Sequence, residues 1–233
     1  MAGGRYNIKQ QPHYSVNLIL TLSMSPYRKR VLLYVLGAIV LGFMVLTFIV
    51  SAFPVSMVDR EFSEEVQEHQ YPLLDAVMKG VSWFGYMPYS MLTIVASALI
   101  FYLFKYKKEA VFVLLTLLSG VVSASAKILI NRPRPTESFV RIVEKAKSDS
   151  FPSGHVLLYV TFFGFIVLLM YHIKTIPKRL RILIAAIAFF MIFTVPVSRI
   201  YLGAHWFTDV LGGFLLGIIC LMILSYLYLR KPA

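Results

Sequence analysis

The stretch Phe151–Met170, FPSGHVLLYVTFFGFIVLLM, opens on a polar tetrad and runs on as apolar sequence with no charged residue. A helix of this length and composition is suited to crossing roughly 30 Å of hydrocarbon, and nothing in the run calls for a water-facing stripe. The tetrad then lies where such a helix enters the membrane, which sets a serine, a glycine and a histidine at the lip of a span.

The rest of the chain extends that reading. Of its 233 residues 58% are hydrophobic and 15% charged, far from a soluble globular average. Hydropathy predicts six spans, near Val31–Phe53, Tyr89–Phe104, Ala110–Ile130, His155–Tyr171, Leu180–Val197 and Phe207–Leu229. The expected fold class is all-α: an integral membrane six-helix bundle with an interfacial amphipathic helix in the first outer loop. That helix is expected where Leu73, Leu74, Val77, Met78 and Val81 recur at helical spacing. Residues 1–30 form an expected cytoplasmic N-terminal segment and residues 31–230 the membrane domain. The first span begins too late and runs too long for a cleaved signal peptide, so it reads as a retained anchor.

The net charge of +12 does not point to nucleic acid, because its placement follows membrane topology. Alternating spans put 14 Lys/Arg and one acid, Glu109, on the side of both termini, against 9 Lys/Arg and 10 Asp/Glu opposite. The positive-inside rule then makes both termini cytoplasmic and the plasma (inner) membrane the expected location. The single Cys220 lies within the last span, so no disulfide framework is expected.

Three polar stretches fall on the outer side under this topology. Lys127 and Arg134 leave the third span, Ser153, Gly154 and His155 open the fourth, and Ser198, Arg199, His205 and Asp209 join the fifth to the sixth. Each has a plain structural reading. Lys127 can snorkel, Arg132 and Arg134 can be solvated loop charges, His155 can be a satisfied structural histidine, and Asp209 can pair with Arg199. Their convergence on one face favours function instead, since ionisable groups near membrane depth are costly.

Phosphoryl transfer fits these residue types. Lys127, Arg134 and Arg199 can neutralise phosphate oxygens, while Ser153 and Gly154 set backbone N–H groups at a helix start toward an anion. His205 and Asp209, four residues apart, share one helix face, so the carboxylate can hold Nδ1–H and leave Nε2 as nucleophile. His155 is then free to act as acid and base. No group of carboxylates or histidines has metal-ligand spacing, so neither a metal nor any other cofactor is expected.

Together, Lys127-x6-Arg134-Pro135, Pro152-Ser153-Gly154-His155 and Ser198-Arg199-x5-His205-x3-Asp209 resemble the three signatures of the type 2 phosphatidic acid phosphatase superfamily. The resemblance implies a phosphohistidine on His205, with Asp209 as its partner and His155 as acid, then base. It also implies phosphate binding by Lys127, Arg134, Ser153, Gly154 and Arg199, without metal. A lipid phosphate or diphosphate is the expected substrate, with undecaprenyl diphosphate, phosphatidylglycerophosphate and phosphatidic acid as candidates. By analogy, recycling of a bacterial cell-wall lipid carrier is the first expectation. The bilayer is the expected environment, and no obligate protein partner is inferred. A soluble phosphate ester as substrate and an anion channel or transporter are the alternatives, and a channel leaves His205, Asp209 and His155 without a task.

Overall fold

A computed structural model describes residues 26–145 and 148–230, so the expectation for residues 1–25 lies outside the described residues. Among the described residues there is no strand. The helices are α1 (Pro26–Ala52), α2 (Met57–Val66), α3 (Pro72–Ser82), α4 (Tyr89–Leu103), α5 (Lys107–Leu115), α6 (Leu118–Ile130), α7 (Gly154–His172), α8 (Lys178–Tyr201) and α9 (Phe207–Leu229). Among the described residues five helical stretches, counting Lys107–Ile130 as one, are long and apolar enough to cross a membrane. A sixth arises if Pro72–Gly85 and Tyr89–Leu103 act as one span bent by 60°. The protein is therefore a multi-pass membrane protein.

Two expectations change in detail. The 15-residue α4 rises only about 22 Å at 1.5 Å per residue, short of the hydrocarbon thickness. The amphipathic segment α3 precedes it across the bend and packs against α8. The third span is interrupted at Thr116 and Leu117, where i→i+3 bonds from Thr116 to Val113 and from Leu117 to Leu114 tighten the helix. Thr116 also turns its hydroxyl back onto the Val113 carbonyl at 2.6 Å. Helix α2 is an element that the apolar pattern did not announce. Its start is fixed by Ser56, whose hydroxyl accepts from the Asp59 N–H at 3.1 Å.

Helix α7 is the central member, packed against α8 and α9 and touched by α5 and α6. Phe165, Leu169, Val156, Leu157 and Tyr159 along it are all fully buried. The outward faces of the other helices keep large apolar side chains exposed, among them Ile128, Leu129, Phe190 and Phe193. In lipid this carries no penalty, and helices associate by close packing instead. Small residues on α9 supply it: a Cβ on Gly213 would come within 2.5 Å of the Ser153 carbonyl oxygen. That close approach brings the start of α9 against the loop that launches α7, and the site is built there.

Candidate active site

The site lies at one end of the bundle, where α6 and α8 finish and α7 and α9 begin. Lys127 and Arg199 occupy the last turns of α6 and α8, so each cation sits at the negative end of a helix dipole. The starts of α7 and α9 turn their positive ends to the same region. Ser153 is the N-cap residue of α7, and the first i→i−4 bond into that helix runs from Leu157 N–H to the Ser153 carbonyl. The N–H groups of Gly154, His155 and Val156 thus lack intrahelical acceptors.

All eight residues singled out from sequence meet at this end. The side chain of Ser153 is fully buried, yet its Oγ has no hydrogen-bond partner among the described residues. His155 Nε2, Arg199 Nε and His205 Nδ1 are also buried atoms with no hydrogen-bond partner among the described residues. His205 Nδ1 looks toward Asp209, but buried polar atoms are nearly always paired, so the other three in one region mark a place prepared for a polar ligand. Arg134 reaches across with Nη1 at 3.4 Å from His205 Nε2, and also donates from Nη1 to the Ala204 carbonyl at 2.5 Å. Its Nε donates to the Ser148 carbonyl. Lys127 Nζ donates to the Asp149 carbonyl and, at 3.4 Å, to that of Ser150.

His205 sits between the cations and Asp209. Its Nδ1 is 3.5 Å from Asp209 Oδ2, across the i, i+4 spacing that opens α9. Asp209 Oδ2 also accepts from the Trp206 N–H at 2.8 Å and from the Ser150 hydroxyl, which caps the helix and fixes the carboxylate. Burial, and then Arg134, Arg199 and Lys127, push the His205 imidazole well below its usual range, so the ring is neutral near pH 7. Burial likewise lowers the Arg134 guanidinium to about 10, with Arg199 adding repulsion.

The ion pairs differ from the plain sequence reading. Asp209 pairs with Arg132, not Arg199, and Arg199 pairs with Glu144 through Nη2–Oε1 at 3.0 Å and Nη1–Oε2 at 3.1 Å. Arg132 is not a solvated loop charge: it is 2% exposed, held between Asp209 and Asp59. Four contributors, Asp59, Glu144, Ser150 and Tyr86, lie outside the three polar stretches. Asp59 had a local signal in Ser56-x-x-Asp59, which reads as a helix start, but its long-range partner has none. A cleft of about 290 Å³ is lined by Arg134 and Glu144, together with Pro135, Ile142 and Ala204. Among the described residues no group of three His, Cys, Asp or Glu side chains converges to hold a metal ion.

Fold and site define an integral membrane protein whose helix ends gather cations and two histidines around an anion-sized locus. The sequence signature of the PAP2 superfamily matches residues 108–232. Phosphatidylglycerophosphatase B of Bacillus subtilis (strain 168) is 30% identical over 177 residues, 73% of this chain and 83% of that protein. The putative undecaprenyl-diphosphatase YbjG of Escherichia coli (strain K12) is 36% identical over 89 residues, 38% of this chain and 40% of that protein. The solved transmembrane PAP2-type phosphatidylglycerolphosphate phosphatase from Bacillus subtilis shares the fold with a TM-score of 0.73 at 24% identity. That alignment covers 82% of this chain and 94% of that one. The chain belongs to the PAP2 superfamily and is a membrane phosphatase.

Proposed function

We propose that this chain hydrolyses a lipid phosphate monoester or diphosphate at the outer face of the membrane, through a phosphohistidine on His205. The observation that carries the reading is the orientation of that ring: Nδ1 faces the Asp209 carboxylate at 3.5 Å and Nε2 faces the Arg134 guanidinium at 3.4 Å. The nitrogen that carries the lone pair thus points to the cation that would hold an anion, and the other points to the group that can balance its charge.

Lys127, Arg134 and Arg199 neutralise the phosphoryl oxygens, with Ser153 Oγ and the N–H groups that open α7 completing the cradle. His205 Nε2 forms a bond to phosphorus as the bond to the leaving oxygen breaks. The electron pair leaves with that oxygen, which takes a proton from His155. Water then attacks phosphorus, gives its proton to His155, and the N–P bond breaks to return neutral His205 and inorganic phosphate. Asp209 balances the positive charge on the phosphorylated ring. No metal ion has a part, because three fixed cations stand where it would act. Residues 31–230 form the catalytic domain in this reading. Undecaprenyl diphosphate, phosphatidylglycerophosphate and phosphatidic acid remain the substrates to compare, and the similarity to a phosphatidylglycerophosphatase and an undecaprenyl-diphosphatase favours the first two.

The test is to trap the intermediate. Substrate labelled in the transferred phosphorus should give a base-stable, acid-labile phosphoprotein in the presence of EDTA. His205→Ala should give none, and His155→Ala should slow turnover by roughly 10²–10⁴-fold. Labelling that survives His205→Ala, or activity abolished by EDTA and restored by magnesium or zinc, overturns the mechanism.

A further inference from the structure

Arg132 is fully enclosed, and no step of the proposed reaction uses it. Its guanidinium is engaged on every side. Nε donates to the Pro54 carbonyl at 2.8 Å, Nη1 to Thr208 Oγ1 at 2.7 Å and Asp209 Oδ1 at 2.5 Å, and Nη2 to Asp59 Oδ2 at 2.6 Å. Asp59 is 0% exposed, and its Oδ1 accepts from the N–H and hydroxyl of Thr208 at 2.9 and 2.8 Å. The cation thus lies between two carboxylates, and the second oxygen of one of them faces His205.

Charge balance gives this arrangement a consequence. Two carboxylates and one guanidinium sum to a single negative charge. Two buried carboxylates so placed do not both stay ionised without a cation between them. With Arg132 present, Asp209 retains its charge and can balance the positive ring that forms when His205 Nε2 bonds to phosphorus. With Arg132 removed, Asp209 loses the cation that balances its buried charge, and a protonated Asp209 cannot serve the ring.

We infer that Arg132, clamped by Asp59, is a positioning residue for the nucleophile: by holding Oδ1 it keeps Asp209 anionic and its second oxygen, Oδ2, turned to His205. The inference rests on His205 being the nucleophile. It assigns a catalytic consequence to α2, the element least visible in the sequence. A purely structural clamp, tying α2 to the start of α9, predicts lost stability and no specific change in the chemistry.

The experiment compares full-length Arg132→Met, Arg132→Lys, Asp59→Asn, Asp209→Asn and the double variant Arg132→Met/Asp209→Asn. Phosphatidic acid in mixed detergent micelles is the probe, and kcat and KM are followed against pH beside thermal unfolding. The charged and titratable groups facing His205 and Asp209 are Asp59 of α2, Lys127 of α6, Arg132 and Arg134 of the following loop, His155 of α7 and Arg199 of α8. Apart from Arg132, Asp59 and Asp209 itself, all are constant across this set. Arg132→Met is expected to lower kcat by roughly 10–100-fold, as loss of a supporting partner does elsewhere. KM should change little, and the acid limb of kcat should move to higher pH. Arg132→Lys should recover part of both effects, and Asp59→Asn should move the limb the other way. Arg132→Met should add little to Asp209→Asn, because both act through one group.

Should Arg132→Met fail to fold, Arg132→Lys and Asp59→Asn carry the test through their opposed limb shifts. Wild-type kcat and pH limb in a folded Arg132 variant, or losses that multiply with Asp209→Asn, overturn the inference. An Asp209→Asn enzyme that matches wild type, or an active His205→Ala enzyme, defeats the reading of His205 itself and the inference with it.

Discussion

Glu144 grips Arg199 with both carboxylate oxygens, and Tyr86 donates its hydroxyl to the same carboxylate. An arginine offers this two-pronged geometry equally to a carboxylate and to a phosphate. The two anions therefore compete for one guanidinium, and Glu144→Gln weakens the internal competitor. Inorganic phosphate and orthovanadate are expected to inhibit the Glu144→Gln enzyme at roughly 3–10-fold lower concentration. Inhibition titrations on both proteins check this, and unchanged or weaker inhibition shows that Glu144 does not compete.

A second relationship concerns the acid–base group. Gly85 ends the 3₁₀ turn Trp83–Gly85, and a Cβ placed there would collide with the imidazole of His155. Tyr86 packs its ring edge-on against the same imidazole, 4.7 Å between centroids. The glycine is thus a steric requirement for the histidine's position. Gly85→Ala is expected to cut turnover by roughly 10²-fold, the scale of a displaced general acid. Thermal unfolding should change little, and the loss should not multiply with His155→Ala. Full activity in Gly85→Ala would show that His155 has room elsewhere.

The spans were legible from apolar run length, and the eight candidate residues from three short polar stretches that alternating spans put on one side, where the structure also brings them together. Asp59–Arg132–Asp209 was not legible, since its members are 73 and 77 residues apart in sequence. Nothing local distinguishes a buried Arg132 from a solvated one in INRPRP. The pairing of Arg199 with Glu144 was hidden for the same reason. The break at Thr116 was invisible because threonine and leucine are both acceptable within a span, and what marks it is the pair of i→i+3 backbone bonds with the Thr116 hydroxyl folded onto the Val113 carbonyl.

Orientation can be tested independently of activity. The exposed Glu137 lies in the loop between α6 and α7 at the site end, whereas Thr175 lies at the opposite end of α7, also exposed. In a Cys220→Ala background, Glu137→Cys is expected to react with a membrane-impermeant thiol reagent on intact cells. Thr175→Cys should react only after lysis. The reverse pattern puts the catalytic end in the cytoplasm and removes the argument from the 14-to-1 basic excess.

The pH profile follows from the charges around His205. The nucleophile is the neutral imidazole, and burial with Arg134, Arg199 and Lys127 lowers its pKa well below 6.5, with only the Ser150 backbone opposing that shift. A lowered pKa lets the neutral ring persist to lower pH, so the acid limb of kcat/KM that belongs to the enzyme lies below 6.5. A phosphate monoester also changes charge near pH ~6, and that contribution is common to every variant. The difference between variants therefore isolates the histidine. Arg134→Gln removes the largest of the repelling charges and should move the limb upward while weakening substrate binding. At the alkaline side, Arg134 itself, lowered to about 10, begins to lose its charge, and kcat/KM should fall there through KM. An acid limb that stays fixed, or moves down, when Arg134 is replaced shows that these cations do not set the protonation of His205.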